Sequence, residues 1–220
     1  MILAIDTATE FAGLALLSAE KLLAAEIWHA GRNHTVEFAP RLHALLARAA
    51  MTPADLTGIA VCVGPGSYTG VRIGVALAKG LALPNRLPAV GVSSLEITAH
   101  PHRNQPLPVQ AVVRAGRKRI ITAQFNRVDG IWVETEAARI TTVAELAASL
   151  TEPVLVAGEF SAAEAEILHT ESGGRARVVG AGERTRHPGV LAALGAEKLA
   201  AGASGALAEL QPLYMKNPGE

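Results

Sequence analysis

A chain of 220 residues is long enough to bury one large core or two smaller ones. Half of its residues are hydrophobic and only 18% are charged, which excludes a disordered polymer. Twenty basic and twenty acidic residues cancel, so there is no whole-molecule field for nucleic acid, and only a local basic patch stays open.

The single cysteine, Cys62, lies in an apolar run and cannot form an internal disulfide, which points to a reducing compartment. The opening MILAIDTATE lacks a basic leader, and Asp6 breaks its apolar stretch too early for a signal peptide. Other apolar runs are interrupted by Gly, Lys or Pro short of membrane length. A cytoplasmic protein is expected.

In chain order, apolar runs at 1–5, 11–17 and 22–27 with polar breaks predict an antiparallel meander. Residues 33–50 predict a helix with Asn33 or Thr35 as N-cap. Phe38, Leu42, Leu45 and Ala49 share one face of it, widened by Ala39, Leu46 and Ala50, and Pro40 predicts an irregular start. The continuous apolar run 58–63 reads as a strand buried on both faces. It leads through Gly64-Pro65-Gly66-Ser67-Tyr68-Thr69-Gly70 into a helix over 70–82, the strand–loop–helix order of an α/β protein. A strand at 89–92 and a short helix at 93–99 follow.

Residues 101–108, PHRNQPLP, carry three prolines in eight positions and read as a boundary between an N-terminal lobe, 1–104, and a C-terminal lobe, 105–220. Beyond it, strands are expected at 109–113, 120–125, 131–136 and 154–157. Helices are expected at 142–150, 161–168 and 188–201, with a tail at 210–220. The last helix and tail are expected to pack back on the N-terminal lobe. No internal repeat is visible.

Glycine-rich loops after strands often cradle phosphates on helix N-terminal amides. Here the dinucleotide pattern fails at Thr69, where it needs glycine, and the P-loop pattern fails because Val71 and Arg72 follow Gly70. Packing is the favoured reading. Gly70, Gly74, Ala78 and Ala82 recur every four residues and predict a face that another helix can approach closely. Asp6, Thr7 and Thr9 form an acidic turn, open to two readings: contact with a nucleotide, or a local Asx or Ser/Thr turn.

No histidine pattern makes a metal site. His100 and His102 lack nearby Cys or acid ligands, His34 and His43 are misaligned on their helix, and His29, His169 and His187 are scattered. Ser67 lacks the spacing of a nucleophile elbow and is expected to cap the following helix. Arg114, Arg117, Lys118 and Arg119 form a basic cluster, read either as a solvated loop or as a phosphate-backbone contact.

On these residues the chain resembles the TsaB (YeaZ) family. The matching stretches are ILAIDTAT at 2–9, GPGSYTGVRIG at 64–74, GVSSLE at 91–96 and the ending Pro212-Leu213-Tyr214-Met215-Lys216. The resemblance implies an α/β, two-lobed actin-like, Hsp70-like, sugar-kinase-like fold with lobes of related topology. It also implies a paralogue of the catalytic subunit TsaD, serving N6-threonylcarbamoyladenosine synthesis on tRNAs that read codons beginning with A. Its partners would be a TsaD-like catalytic subunit and a TsaE-like ATPase, with tRNA met indirectly.

TsaD-like proteins carry H-x-E-G-H style metal ligands. Set along this chain, the two histidines fall on Ser94 and Thr98, with Glu96 retained. Serine and threonine replace imidazole poorly at a transition-metal site, so the resemblance implies a non-catalytic subunit without metal or cofactor of its own. ATP or ADP would enter at the complex. Arg114-Ala115-Gly116-Arg117 departs from the family's Asp-Ala-Arg.

Docking is expected through helices at 34–50 and 70–83, with His34, Phe38, Leu42, Leu45, Leu46, Gly70, Arg72, Gly74, Val75 and Ala78 at the interface, and self-pairing when the partner is missing. Arg114, Arg117, Lys118 and Arg119 are the candidate tRNA contacts. The rival readings are an ATP-using phosphotransferase of the same fold, working through Asp6, Thr7 and Thr9, and a metallopeptidase.

Overall fold

The three opening apolar runs form Ile2–Asp6 (β1), Phe11–Leu17 (β2) and Leu22–His29 (β3), paired antiparallel with Ile2 opposite Leu17 and Asp6 opposite Gly13. The computed structural model describes residues 1–19, 21–31, 33–116, 118–203 and 207–215. After helix His34–Arg48 (α1), strand Gly58–Cys62 (β4) pairs parallel with β1 and is buried along its whole length, Cys62 included. Helix Tyr68–Asn85 (α2) then leads to Ala89–Val92 (β5), parallel to β4. The sheet order is β3-β2-β1-β4-β5.

Helix Ser94–Ala99 (α3) opens a second sheet built from Val109–Arg114 (β6), Ile120–Val128 (β7) and Ile131–Thr141 (β8). Helix Val143–Ser149 (α4), strand Val154–Gly158 (β9), helix Ala162–Glu171 (α5) and strand Ala176–Val178 (β10) complete it. Thr142 caps α4 and Ser161 caps α5, each reciprocated by a glutamate three residues on. The order is β10-β9-β6-β7-β8, with β6 to β8 antiparallel and β9 and β10 parallel. Position for position, this repeats the first sheet. Helix Pro188–Ala200 (α6) ends the regular structure, and no helix of the described residues is long and apolar enough to cross a membrane.

The chain divides into two compact units, Met1–Ser94 with His187–Tyr214, and Leu95–Arg186 with Met215. The division falls before the proline-rich stretch, which corrects the boundary expected at 104 and 105. Leu95 and Ala99 belong to the core of the second unit, with Val112, Leu146 and Val156. Arg127 explains why 101–108 is no linker. Its guanidinium donates to the Arg103 carbonyl at 3.1 Å and to Asn104 Oδ1 at 2.9 Å, supplying the partners that a free segment takes from water.

In the first unit, a Cβ on Gly195 of α6 would touch Ala60, whereas one on Gly74 of α2 would lie 3.6 Å from Val61. Adjacent residues of a strand point to opposite faces, so α6 and α2 cover opposite faces of β4. That settles the small-residue face of α2. Gly70, Gly74, Ala78 and Ala82 are all buried, and a Cβ on Gly74 would stand 2.5 Å from Thr7 Oγ1. The expected external docking face is the inner one, because only such side chains let α2 lie this close to the sheet.

His34, the first residue of α1, is only 5% exposed. Its ring hydrogen-bonds the Thr9 backbone, while its buried Nδ1 has no partner. Burial pushes the imidazole below its ordinary value, against the opposing pull of the Asp6 and Glu37 carboxylates and that bond.

Two outcomes follow from these contacts. Gly74→Leu destabilises the chain by about 1–3 kcal/mol, read as a lower midpoint in urea unfolding of the whole protein. For His34, the unfolded state binds the proton more readily than the folded one. Stability therefore falls as pH drops below the ordinary value of 6.5 and levels off under the lowered one. In unfolding curves across pH, the margin of wild type over His34→Gln is widest above that value and narrows below it.

Candidate functional site

β1 ends at Asp6, whose Oδ1 accepts from the Ala8 amide at 2.9 Å, the local turn rather than an outward-facing acid. The next residues are bound to the glycine loop. The Ser67 amide donates to the Ala8 carbonyl at 2.7 Å, and Thr7 Oγ1 donates to the Gly70 carbonyl at 2.7 Å. A Cβ on Gly70 would collide with the Thr7 carbonyl oxygen, so glycine is required there by close approach. Ser67 caps α2 as expected, accepting from the Gly70 amide at 3.2 Å.

The rest of the loop is held from two further directions. The Ser94 amide donates to the Gly64 carbonyl at 2.9 Å and the Ser94 hydroxyl to the Pro65 carbonyl at 2.5 Å. The Leu213 amide donates to the Val63 carbonyl at 2.7 Å, and Tyr214 lies 5.1 Å from the Tyr68 ring. Four stretches far apart in sequence thus meet in one unit. Among the described residues, no three His, Cys, Asp or Glu side chains converge to hold a metal.

The open surface lies on the outer side of α1 and α2. Between them runs an apolar groove of about 630 Å³, lined by Phe38, Leu42 and Leu46 of α1 and Ile73, Leu77 and Leu81 of α2. Ala39, Ala47, Ala76 and Gly80 also line it. The exposed charges of α1 are used within the chain, Arg41 on Glu37 at 2.9 Å and on Glu26, and Arg48 on Glu26 at 3.1 Å.

Of the residues expected at an interface, Phe38, Leu42 and Leu46 line this groove although each is itself largely buried, and Arg72 is exposed on the same helix as its α2 wall. Leu45, His34, Gly70, Gly74, Val75 and Ala78 are interior, which removes them from the expected contact surface. Sequence reasoning missed the outward stripe of α2. Its readable signal was Gly80, a glycine within a helix where a Cβ would meet nothing within 4 Å. Such a glycine costs roughly 0.5–1 kcal/mol relative to alanine, and nothing among the described residues requires it.

The basic cluster is partly neutralised. Arg114 pairs with Glu164 at 2.5 Å. Burial works against the Glu164 carboxylate, yet the Ser161 amide and hydroxyl and the Arg114 guanidinium hold it below its ordinary value. Lys118 is exposed at positive φ, Arg119 is half-buried, and Arg117 lies outside the described residues.

A family model described as TsaD, tRNA N6-adenosine threonylcarbamoyltransferase, matches residues 28–194. The tRNA threonylcarbamoyladenosine biosynthesis protein TsaB of Bacillus subtilis is 35% identical over 218 residues, covering 98% of this chain and 93% of its own. The tRNA N6-adenosine threonylcarbamoyltransferase of Paracoccus denitrificans is 39% identical over 104 residues, 46% of this chain and 28% of its own. The solved structure of YeaZ from Pseudomonas aeruginosa superposes with a TM-score of 0.78 at 23% identity, covering 97% of this chain and 99% of that one. The duplicated sheet order and this superposition make the fold the two-lobed actin-like, Hsp70-like, sugar-kinase-like one. With a relative this similar along nearly its whole length, the chain belongs to the TsaB (YeaZ) family.

Proposed function

We propose that this protein is a non-catalytic subunit in N6-threonylcarbamoyladenosine synthesis on tRNAs reading codons that begin with A, where it docks a TsaD-like catalytic subunit and favours that subunit's active conformation. The observation that carries the reading is the groove between α1 and α2. It is about 630 Å³ of largely apolar furrow, with Gly80 at a point where only an outside helix could use the missing side chain.

A TsaD-like protein fits this groove because the TsaD model matches a span that includes both helices. Such a partner carries counterparts of α1 and α2 and can pair like with like across a local two-fold axis. The same geometry lets two copies of this chain pair when the partner is missing. The name of the Bacillus subtilis relative supports the pathway.

Ser94 and Thr98 stand where the resemblance puts the metal-binding histidines, and the Ser94 hydroxyl is already bonded to the Pro65 carbonyl, which supports an accessory role. Asp6 and Thr7 are likewise bonded to Ala8 and Gly70, so ATP or ADP is met at the complex, with a TsaE-like ATPase supplying turnover. tRNA is reached through the partner. Of the described members of the basic cluster, exposed Lys118 is the one offered to its phosphates.

The test is copurification with the TsaD-like protein of the same organism and tRNA modification with and without this chain. Gly80→Leu leaves the thermal midpoint of the isolated chain at or above wild type. It weakens the complex by about 10- to 100-fold, from an overpacking cost of about 1–3 kcal/mol at the contact. Equal modification in the absence of the chain overturns the proposal.

A further inference from the structure

Tyr68, Arg72, Ala76 and Gly80 recur every four residues along α2, and the last two line the groove. The stripe therefore runs from the groove to the first turns of the helix. There Arg72 Nη1 donates to Tyr68 Oη at 2.6 Å, with the guanidinium carbon 5.1 Å from the Tyr68 ring centroid. Tyr214 packs on the other tyrosine at 5.1 Å, and the preceding Leu213 amide is anchored to β4's end through the Val63 carbonyl at 2.7 Å. The guanidinium is thus held in place before anything binds it.

Among the described residues no carboxylate accounts for a cation there. Among the described residues Arg72 has no ion pair, whereas Arg41 and Arg48 of α1 are both paired. Helix α2 contains no acidic residue. A positive charge near a helix N-terminus is also disfavoured by the helix dipole, so α2 gains nothing from it. One N–H is used on a neutral phenol, and the planar fork keeps donors suited to two oxygens of one carboxylate.

The surroundings fit a protein surface. Tyr68, Leu213 and Tyr214 are each more than half exposed and flank the cation with apolar area. Covering them lowers the local dielectric, where a charge pair is stronger than in water. Along the same stripe of α2 the patch leads to the apolar groove.

We infer that Arg72, positioned by Tyr68, is the polar end of the docking surface and receives an aspartate or glutamate carboxylate of the partner protein. This rests on the docking proposed above for α1 and α2.

The test measures binding of the full-length chain to the TsaD-like protein, without tRNA, by calorimetry at low and high salt. Arg72→Met weakens binding by about tenfold or more and removes most of the salt dependence, a change that a folding defect does not produce. Arg72→Glu weakens it further, and Arg72→Lys recovers part of the affinity because the charge returns without the fork. Wild-type affinity and salt dependence in Arg72→Met overturn the inference. So does a defect seen only when tRNA is added, which assigns the cation to a phosphate instead. Absence of any binding by wild type overturns the docking reading itself, a failure distinct from loss in the variant alone.

Discussion

Between β1 and α2 the backbone comes so close that no side chain fits at Gly70, whose carbonyl takes the Thr7 hydroxyl at 2.7 Å. The arrangement of the first unit depends on that approach. It sets the depth at which α2 lies on the sheet, with Gly74 over Val61 and Ala78 and Ala82 fully buried. It also binds the turn after β1 to the loop before α2, so that each satisfies the other's main-chain groups. A glycine loop held in this way is a joint. The Ser67 and Gly70 amides and the carbonyls of Val63, Gly64, Pro65 and Gly70 are bonded within the chain.

Once one face of α2 is committed to the sheet, the opposite face is the one that remains. The two glycines on either side of the helix carry opposite meanings. At Gly74 a Cβ would meet Thr7 at 2.5 Å, and at Gly80 it would meet nothing. The first is explained by the fold, whereas at the second no described residue comes near. Beside α1, whose own charges are paired back onto β3 and itself, this leaves an apolar groove, with the oriented guanidinium of Arg72 further along the same stripe of α2. In the docking proposed for this surface, apolar area would supply affinity and an oriented charge would supply register.

The second unit repeats the first sheet in strand order and direction while sharing little visible sequence with it. Topology is held by burial pattern and strand direction, which many side-chain sets satisfy. Arg114 has a local counterion in Glu164, at the N-terminal capping box of α5.

Much of the fold was legible in the sequence. The meander, the buried β4 run, the loop into α2, the Ser67 cap and α6 follow from local patterns, since apolar periodicity and capping chemistry act over a few residues. β10 was missed because it is three residues long with Arg177 at its centre, too short to carry a period. The proline-rich stretch was misread because its partner, Arg127, lies on a different strand. Family membership was legible as well, through four short motifs. What the sequence could not supply was direction. A stripe of small residues every four positions says that something approaches α2 closely, but not whether it is the protein's own sheet or another molecule. Only the tertiary structure decided that, by placing Thr7 against Gly70 and Gly74 and leaving Gly80 open, because closeness is a property of two surfaces and a sequence periodicity describes one.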